Sequence, residues 1–218
     1  MTIAWAIWFC RNKYVYAHED LNAQGMVVSF THMVAEFITY KQKVSFSPTQ
    51  SGTSVLNAKW KPPPHGTLKI NIDAHVVEGR YANVGVVVRN AAGTITLAAV
   101  KRLEGRWEVA LAEAAAARYG LMVARRYGFE SIWLEGDALE VVQGVRKEME
   151  GFTPLHMLYD DIRWLLHAFR NFMFSHVKRA GNTVAHLMAR RDTSENAEII
   201  CMDPFPQSLI TLAELDLH

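Results

Sequence analysis

Cysteine is scarce in this chain of 218 residues: there are two, Cys10 and Cys201, at opposite ends and in no CxxC pair. That excludes a small disulfide scaffold and the common zinc-finger spacings, and it leans towards a reducing compartment. Long apolar runs are also lacking, since a bilayer span takes about 20 residues. The strongest run near the start, Ile3 to Cys10, has no basic residues before it and no small-residue cleavage site after it, unlike a signal peptide. An intracellular protein, cytoplasmic or nuclear, is expected, neither secreted nor in a membrane. Charge of one sign is missing too: 23 Lys and Arg face 22 Asp and Glu, so net charge singles out no partner. There is no GxxxxGK loop, HExxH motif or GxSxG elbow. What the chain does have is size, with 50% hydrophobic and 21% charged residues. A chain this long buries roughly 70% of its unfolded surface without a disulfide or metal staple.

Composition divides the chain. In residues 1–43, Met26, Phe30, Met33, Val34 and Phe37 recur at threes and fours, which predicts an amphipathic helix, with a break near Asn22–Gly25 separating it from an earlier one. Residues 44–66 turn to Ser, Thr, Gln and Gly and end in Trp60-Lys-Pro-Pro-Pro64, a linker with a stiff extended end. Residues 67–195 read as the main domain and 196–218 as a C-terminal tail. Within the main domain Leu68, Ile70 and Ile72 alternate with Lys69, Asn71 and Asp73, the pattern of a strand with one buried face. Val84 to Arg89 and Thr94 to Lys101 read as two more strands around the turn Asn90-Ala-Ala-Gly93. An alanine-rich helix over Glu108–Tyr127 is closed by Gly128. Ser131–Glu135 reads as a strand, and Asp137-Ala-Leu-Glu140 as a capping box opening a helix. Pro154–Phe169 follows as a helix, Phe172–Lys178 as the fifth strand, and Asn182–Arg191 as a last helix capped by Asn182. Three hairpin-linked strands followed by alternating elements predict an α/β fold, a mixed five-stranded sheet flanked by helices.

Three carboxylates stand at awkward places. Asp73 ends the first strand on its polar face, Glu113 lies among alanines where a sheet should pack, and Asp137 follows the fourth strand. Each has an ordinary reading as well: a strand-end turn residue, an exposed helix residue and an N-cap. Only a sheet with the first and fourth strands adjacent, and the alanine helix across them, brings the three together. Carboxylates gathered there repel unless a cation joins them. Hard oxygen donors suit Mg²⁺ or Mn²⁺, and two such ions about 4 Å apart support phosphodiester cleavage.

With these residues in place, the sequence resembles the ribonuclease H type 1 family, and more closely the reverse-transcriptase-like RNase H domain of plant non-LTR retroelement proteins. The likeness runs through Trp60-Lys-Pro-Pro-Pro, Lys69-Ile-Asn-Ile-Asp73, Gly85-Val-Val-Val-Arg-Asn90 and Ala112-Glu113-Ala114. It continues through Leu134-Glu-Gly-Asp137, His176-Val-Lys-Arg-Ala-Gly-Asn182 and Val184-Ala-His-Leu-Met-Ala189 to Pro204-Phe-Pro206. Trp5 to Asn12 is similar to the segment between the reverse transcriptase and RNase H parts of such proteins, which makes residues 1–43 a candidate dock for a reverse transcriptase core. The resemblance implies an RNase H-like sheet and an enzyme, a hydrolase cutting the RNA strand of RNA·DNA hybrids with two divalent ions, leaving a 3′-hydroxyl and a 5′-phosphate. It puts Asp73, Glu113 and Asp137 on three of four carboxylate positions.

The fourth position is His186, which ligates a divalent ion as a neutral imidazole and shifts the preference towards Mn²⁺; the same histidine also reads as a packing residue of the last helix. The histidine-bearing loop of cellular enzymes is absent, with only Ala180 and Gly181 between Arg179 and Asn182, and Ala74 stands where the family favours Gly. These departures keep open a second class, an RNase H-fold nucleic-acid-binding or protein-interaction module with weak or no turnover. For nucleic acid, Arg163, Arg170, Lys178, Arg179, Arg190 and Arg191 form a local basic surplus. Lys178, Arg179 and Asn182, with Asn83 and Asn90 bracketing the second strand, are the candidate contacts, reading hybrid by shape and 2′-hydroxyls.

Overall fold

The computed structural model describes residues 60–193 and 197–217. The helical appendage expected over 1–43 and the linker up to residue 59 lie outside the described residues. Strands β1 (Leu68–Val77), β2 (Tyr81–Arg89) and β3 (Ile95–Glu104) form an antiparallel meander. The β2–β3 turn forms as its sequence demands: Gly93 takes φ +82°, its N–H donates to the Asn90 carbonyl, and Asn90 Oδ1 accepts from the amides of Ala92 and Thr94. Helix α1 (Val109–Arg126) leads to β4 (Ser131–Gly136), which runs parallel to β1. After α2 (Leu139–Arg146) and α3 (Pro154–Leu166), β5 (Asn171–His176) adds in parallel to β4. A 3₁₀ turn at Arg179–Gly181 leads straight into α4 (Thr183–Ala189).

The expected five strands are joined by a sixth. β6 (Glu198–Cys201) pairs antiparallel with β3, and α5 (Gln207–Leu215) follows, so the sheet order is β5-β4-β1-β2-β3-β6. Residues set apart as a tail therefore complete the sheet. A four-residue strand carries too short an alternation to be read locally, and pairing with β3 is what makes it a strand.

Helix α1 ends on a Schellman arrangement: Gly128, at φ +70°, donates to the Arg125 carbonyl, and Phe129 N–H reaches the Ala124 carbonyl. Its small side chains, Ala112, Ala114, Ala116, Ala117 and Gly120, let it lie close on the sheet over Ile70, Ile72 and Leu134. The opposite face packs Val87, Ala98 and Val100 against Val184 and Met188 of α4 and Leu209 and Ala213 of α5.

Helices on both faces bury both faces of β1, where alternation alone predicts one. Lys69, Asn71 and Asp73 are as inaccessible as Ile70 and Ile72, as expected of a central strand with a parallel neighbour. Buried polar groups need partners. Lys69 Nζ lies 3.1 Å from both oxygens of Glu135 and 3.7 Å from the ring centroid of Trp133. Arg89 stacks on Trp60 at 3.9 Å and donates to Asp216 Oδ2 at 2.9 Å. Burial outweighs the Glu135 charge and holds the Lys69 ammonium below its ordinary value.

Candidate metal centre

Register assembles the site. Parallel pairing sets Ile72 against Gly136, so the next residues, Asp73 and Asp137, are neighbours at the point where β4 ends. Asp73 is not at a strand end, since β1 continues to Val77. Asp137 opens no capping box either: the N-cap of α2 is Ala138, with no side-chain cap bond, and the Asp137 carboxylate turns to accept from Arg179 Nε at 3.2 Å. Glu113 is delivered by the first half of α1 and is 4% exposed. Asp73, Glu113 and Asp137 each offer one oxygen, and these oxygens lie within 4.8 Å of one another.

The electrostatics are those of carboxylates gathered out of water. Burial raises the Asp73 carboxyl to about 6, the Asp137 charge adds to this, and His186 and Arg179 oppose it. Burial raises Glu113 further, to about 9, with Asp73 and Asp137 contributing, while the Ala74 backbone amide and Arg179 pull it down. Asp73 Oδ1 and Glu113 Oε2 are buried with no hydrogen-bond partner. Two orphaned carboxylate oxygens beside a third carboxylate fit a hard divalent cation.

His186, the fourth candidate ligand, is hydrogen-bonded to the site and does not join the group of three carboxylates: its Nδ1 is 2.9 Å from Asp73 Oδ2, and the reason for this approach lies under α4. Gly85 faces Asp73 across the β1–β2 ladder, and a Cβ there would stand 2.4 Å from Ala189 N and 2.9 Å from the Ala185 carbonyl oxygen. Only glycine lets the helix come this close.

The candidate nucleic-acid contacts divide. Arg179, at the rim, and Lys178 beside it are exposed. Asn83 lies on the same face as Asp73, paired with His75, but is buried: its amide donates to the Arg191 carbonyl and accepts from Thr193 Oγ1. Asn90 serves the hairpin turn, about 17 Å along β2 from the residue opposite Asp73. Asn182 caps nothing through its side chain and is buried behind Asp73, bonded to the Ile72 carbonyl and to Asn71. Sequence reasoning missed the network of Lys69, Asn71, Arg89, Glu135 and Asp216. Its signal is the run of polar alternates in β1, which a fully covered central strand forces inside.

A mixed sheet of this order, with carboxylates from two adjacent strands and the helix across them, is an RNase H type 1-like domain. Solved structures similar to the chain include RNase H1 from the halophilic archaeon Halobacterium salinarum NRC-1, at 26% identity and a TM-score of 0.53 over 56% of this chain and 94% of that one. The N-terminal RNase H domain of Rv2228c from Mycobacterium tuberculosis is similar at 24% identity and a TM-score of 0.51, over 56% of this chain and 90% of that one. LC11-RNase H1, solved in complex with an RNA/DNA hybrid, shares the fold at 18% identity and a TM-score of 0.50, over 56% of this chain and 92% of that one. No curated protein matches the sequence. The chain belongs to the reverse transcriptase-like family, whose model matches residues 71–192. Among the described residues no helix is long and apolar enough to cross a membrane.

Proposed function

We propose that the protein is a divalent-metal-dependent endoribonuclease that cuts the RNA strand of RNA·DNA hybrids. The observation that carries this reading is the meeting of Asp73, Glu113 and Asp137, with buried, unpartnered oxygens on the first two. These three residues and His186 would hold the metal. The oxygen-rich donor set suits Mg²⁺ or Mn²⁺, two of which supply Lewis acidity to the attacking water and the departing oxygen. Water adds at phosphorus and the P–O3′ bond breaks, leaving a 3′-hydroxyl and a 5′-phosphate. Arg179 and Lys178, at the rim, meet the phosphate backbone, and 2′-hydroxyls mark the strand to be cut. Family membership and an RNase H1 neighbour above 25% identity support the same chemistry.

Two observations favour a second reading, a hybrid-binding module with feeble turnover: His186 already occupies Asp73 Oδ2, and a three-residue turn, Arg179–Gly181, leads into α4 without a longer loop. Cleavage of a labelled hybrid in Mg²⁺ and in Mn²⁺, beside Asp73→Asn, tests the first reading. Cuts confined to RNA and lost in the variant support it, whereas undiminished cutting by Asp73→Asn removes the site from the reaction. Tight hybrid binding in EDTA with no cleavage in either metal favours the module.

A further inference from the structure

Asn182 is 1% exposed and both polar atoms of its amide are engaged within the protein: Nδ2 donates to the Ile72 carbonyl at 2.8 Å, and Oδ1 accepts from Asn71 Nδ2 at 3.3 Å. Ile72 immediately precedes Asp73 in β1. The backbone carbonyl of Asn182 accepts from the His186 N–H at 3.0 Å, in the first turn of α4. One side chain thus ties the backbone beside Asp73 to the helical turn that presents His186. Nor is Asn71 free to yield. Its Nδ2 also lies 3.2 Å from Glu135 Oε2, and its Oδ1 accepts from Trp60 Nε1 at 2.9 Å and from Arg89 Nη2 at 3.2 Å.

We propose that Asn182 is a positioning residue of the metal centre, fixing Asp73 and His186 relative to each other through the Ile72 carbonyl, and that it does not touch nucleic acid. This rests on the metal-dependent reading of the site, and it reaches only as far as metal binding. Groups held behind metal ligands set ligand orientation, and their loss typically lowers metal affinity or activity by about 10–100-fold. The fold has other means of keeping α4 in place: Val184, Ala185, Met188 and Ala189 are buried, and Thr183 Oγ1 bonds to Asp216.

The test is Mn²⁺ binding to the full chain, read by calorimetry and by thermal shift without nucleic acid, in wild type and Asn182→Ala. If the alanine variant does not fold, Asn182→Ser takes its place, keeping a donor on a shorter arm. The half-saturating Mn²⁺ concentration is expected to rise about tenfold or more, and in cleavage assays kcat falls while KM for hybrid stays within about twofold. A lower Tm with unchanged Mn²⁺ half-saturation makes Asn182 merely structural and overturns the proposal. So does a raised KM with unchanged Mn²⁺ half-saturation, which would place Asn182 on nucleic acid. A wild type that binds Mn²⁺ but cuts nothing defeats the nuclease reading alone, because the Mn²⁺ comparison still decides. A wild type that binds no Mn²⁺ defeats both.

Discussion

His186 Nδ1 meets Asp73 Oδ2 at 2.9 Å, a hydrogen bond between residues 113 positions apart. Towards an ionised aspartate the ring nitrogen is the donor, so the protein occupies one Asp73 oxygen and leaves the other, Oδ1, buried and unpartnered. Imidazole brings no negative charge and prefers softer ions than Mg²⁺. His186→Asp is therefore expected to tighten Mg²⁺ binding and to bring hybrid cleavage in Mg²⁺ up towards that in Mn²⁺. An unchanged Mg²⁺-to-Mn²⁺ ratio would put His186 outside the ligand set.

Metal-free stability follows the raised carboxyls, Asp73 at about 6 and Glu113 at about 9. Between their ordinary values near 4 and these values, the folded state holds more protons than the unfolded state. Stability is therefore greatest at low pH and is lost as pH rises through that window. Thermal unfolding in EDTA is expected to show Tm falling from about pH 5 to about pH 8, with saturating Mn²⁺ flattening the slope, since the ion binds the ionised carboxylates. A Tm that climbs over this range in EDTA would mean that the Asp73 and Glu113 carboxyls are not raised in the folded protein.

Gly85→Ala tests how α4 is held. The added Cβ meets backbone atoms of Ala185 and Ala189, not a side chain that can rotate away, so the helix must shift as a body. Overpacking of this kind costs about 1–3 kcal/mol. A matching loss of Tm is expected, together with a change in the His186 ring resonances, because His186 rides on the displaced helix. Unaltered resonances would show that the Asp73 contact does not depend on this close approach.

Strands β1 to β5 and helix α1 were legible because their signals are local, among them alternation in β1, the Asn90–Gly93 turn and an alanine helix ended by Gly128. The three acids stood out only through the topology that those elements imply. Three features were not legible. Asp137 and Asn182 both match the N-cap preference, yet each side chain is drawn away, Asp137 to Arg179 and Asn182 to the Ile72 carbonyl. A cap bond and a tertiary bond compete for the same side chain, through an oxygen in Asp137 and through the Nδ2 donor in Asn182, and sequence shows only the first. Lys69 and Asn71 look like solvent-facing alternates until α4 and the chain's last residues cover that face. Trp60 reads as the end of a linker, whereas its indole donates to Asn71 and stacks under Arg89. In each case the deciding partner lies far away in the chain, where no periodicity points.

The same network makes the chain's end part of the core. Asp216 Oδ2 accepts from the buried Arg89, and its Oδ1 from Thr183 at the start of α4. Removing one partner of such a pair leaves a buried charge uncompensated, at a cost of about 3–5 kcal/mol. Asp216→Ala is expected to lose stability on that scale in denaturant unfolding. The double change Arg89→Met with Asp216→Leu, which removes both charges, should recover much of it. A single variant as stable as wild type would mean that solvent reaches Arg89.

Arg179 makes the sharpest distinction, because its removal should move two affinities in opposite directions. Its side chain is 74% exposed while its partner Asp137 is 8% exposed, so the ion pair sits at the rim and adds little to stability. Its charge favours the ionised forms of Asp73 and Glu113, and its contact occupies Oδ2 of Asp137, one of the three carboxylates proposed to hold the metal. For the bare protein these effects oppose each other, but a divalent ion supplies more charge than the guanidinium it displaces. Arg179→Ala is therefore expected to lower the half-saturating Mn²⁺ concentration while weakening hybrid binding in EDTA. It should also make the dependence of log K on log salt shallower by about 1, the loss of one phosphate contact. Weaker binding of both Mn²⁺ and hybrid would mean instead that Arg179 holds Asp137 in its working position, and that the guanidinium belongs to the architecture of the centre.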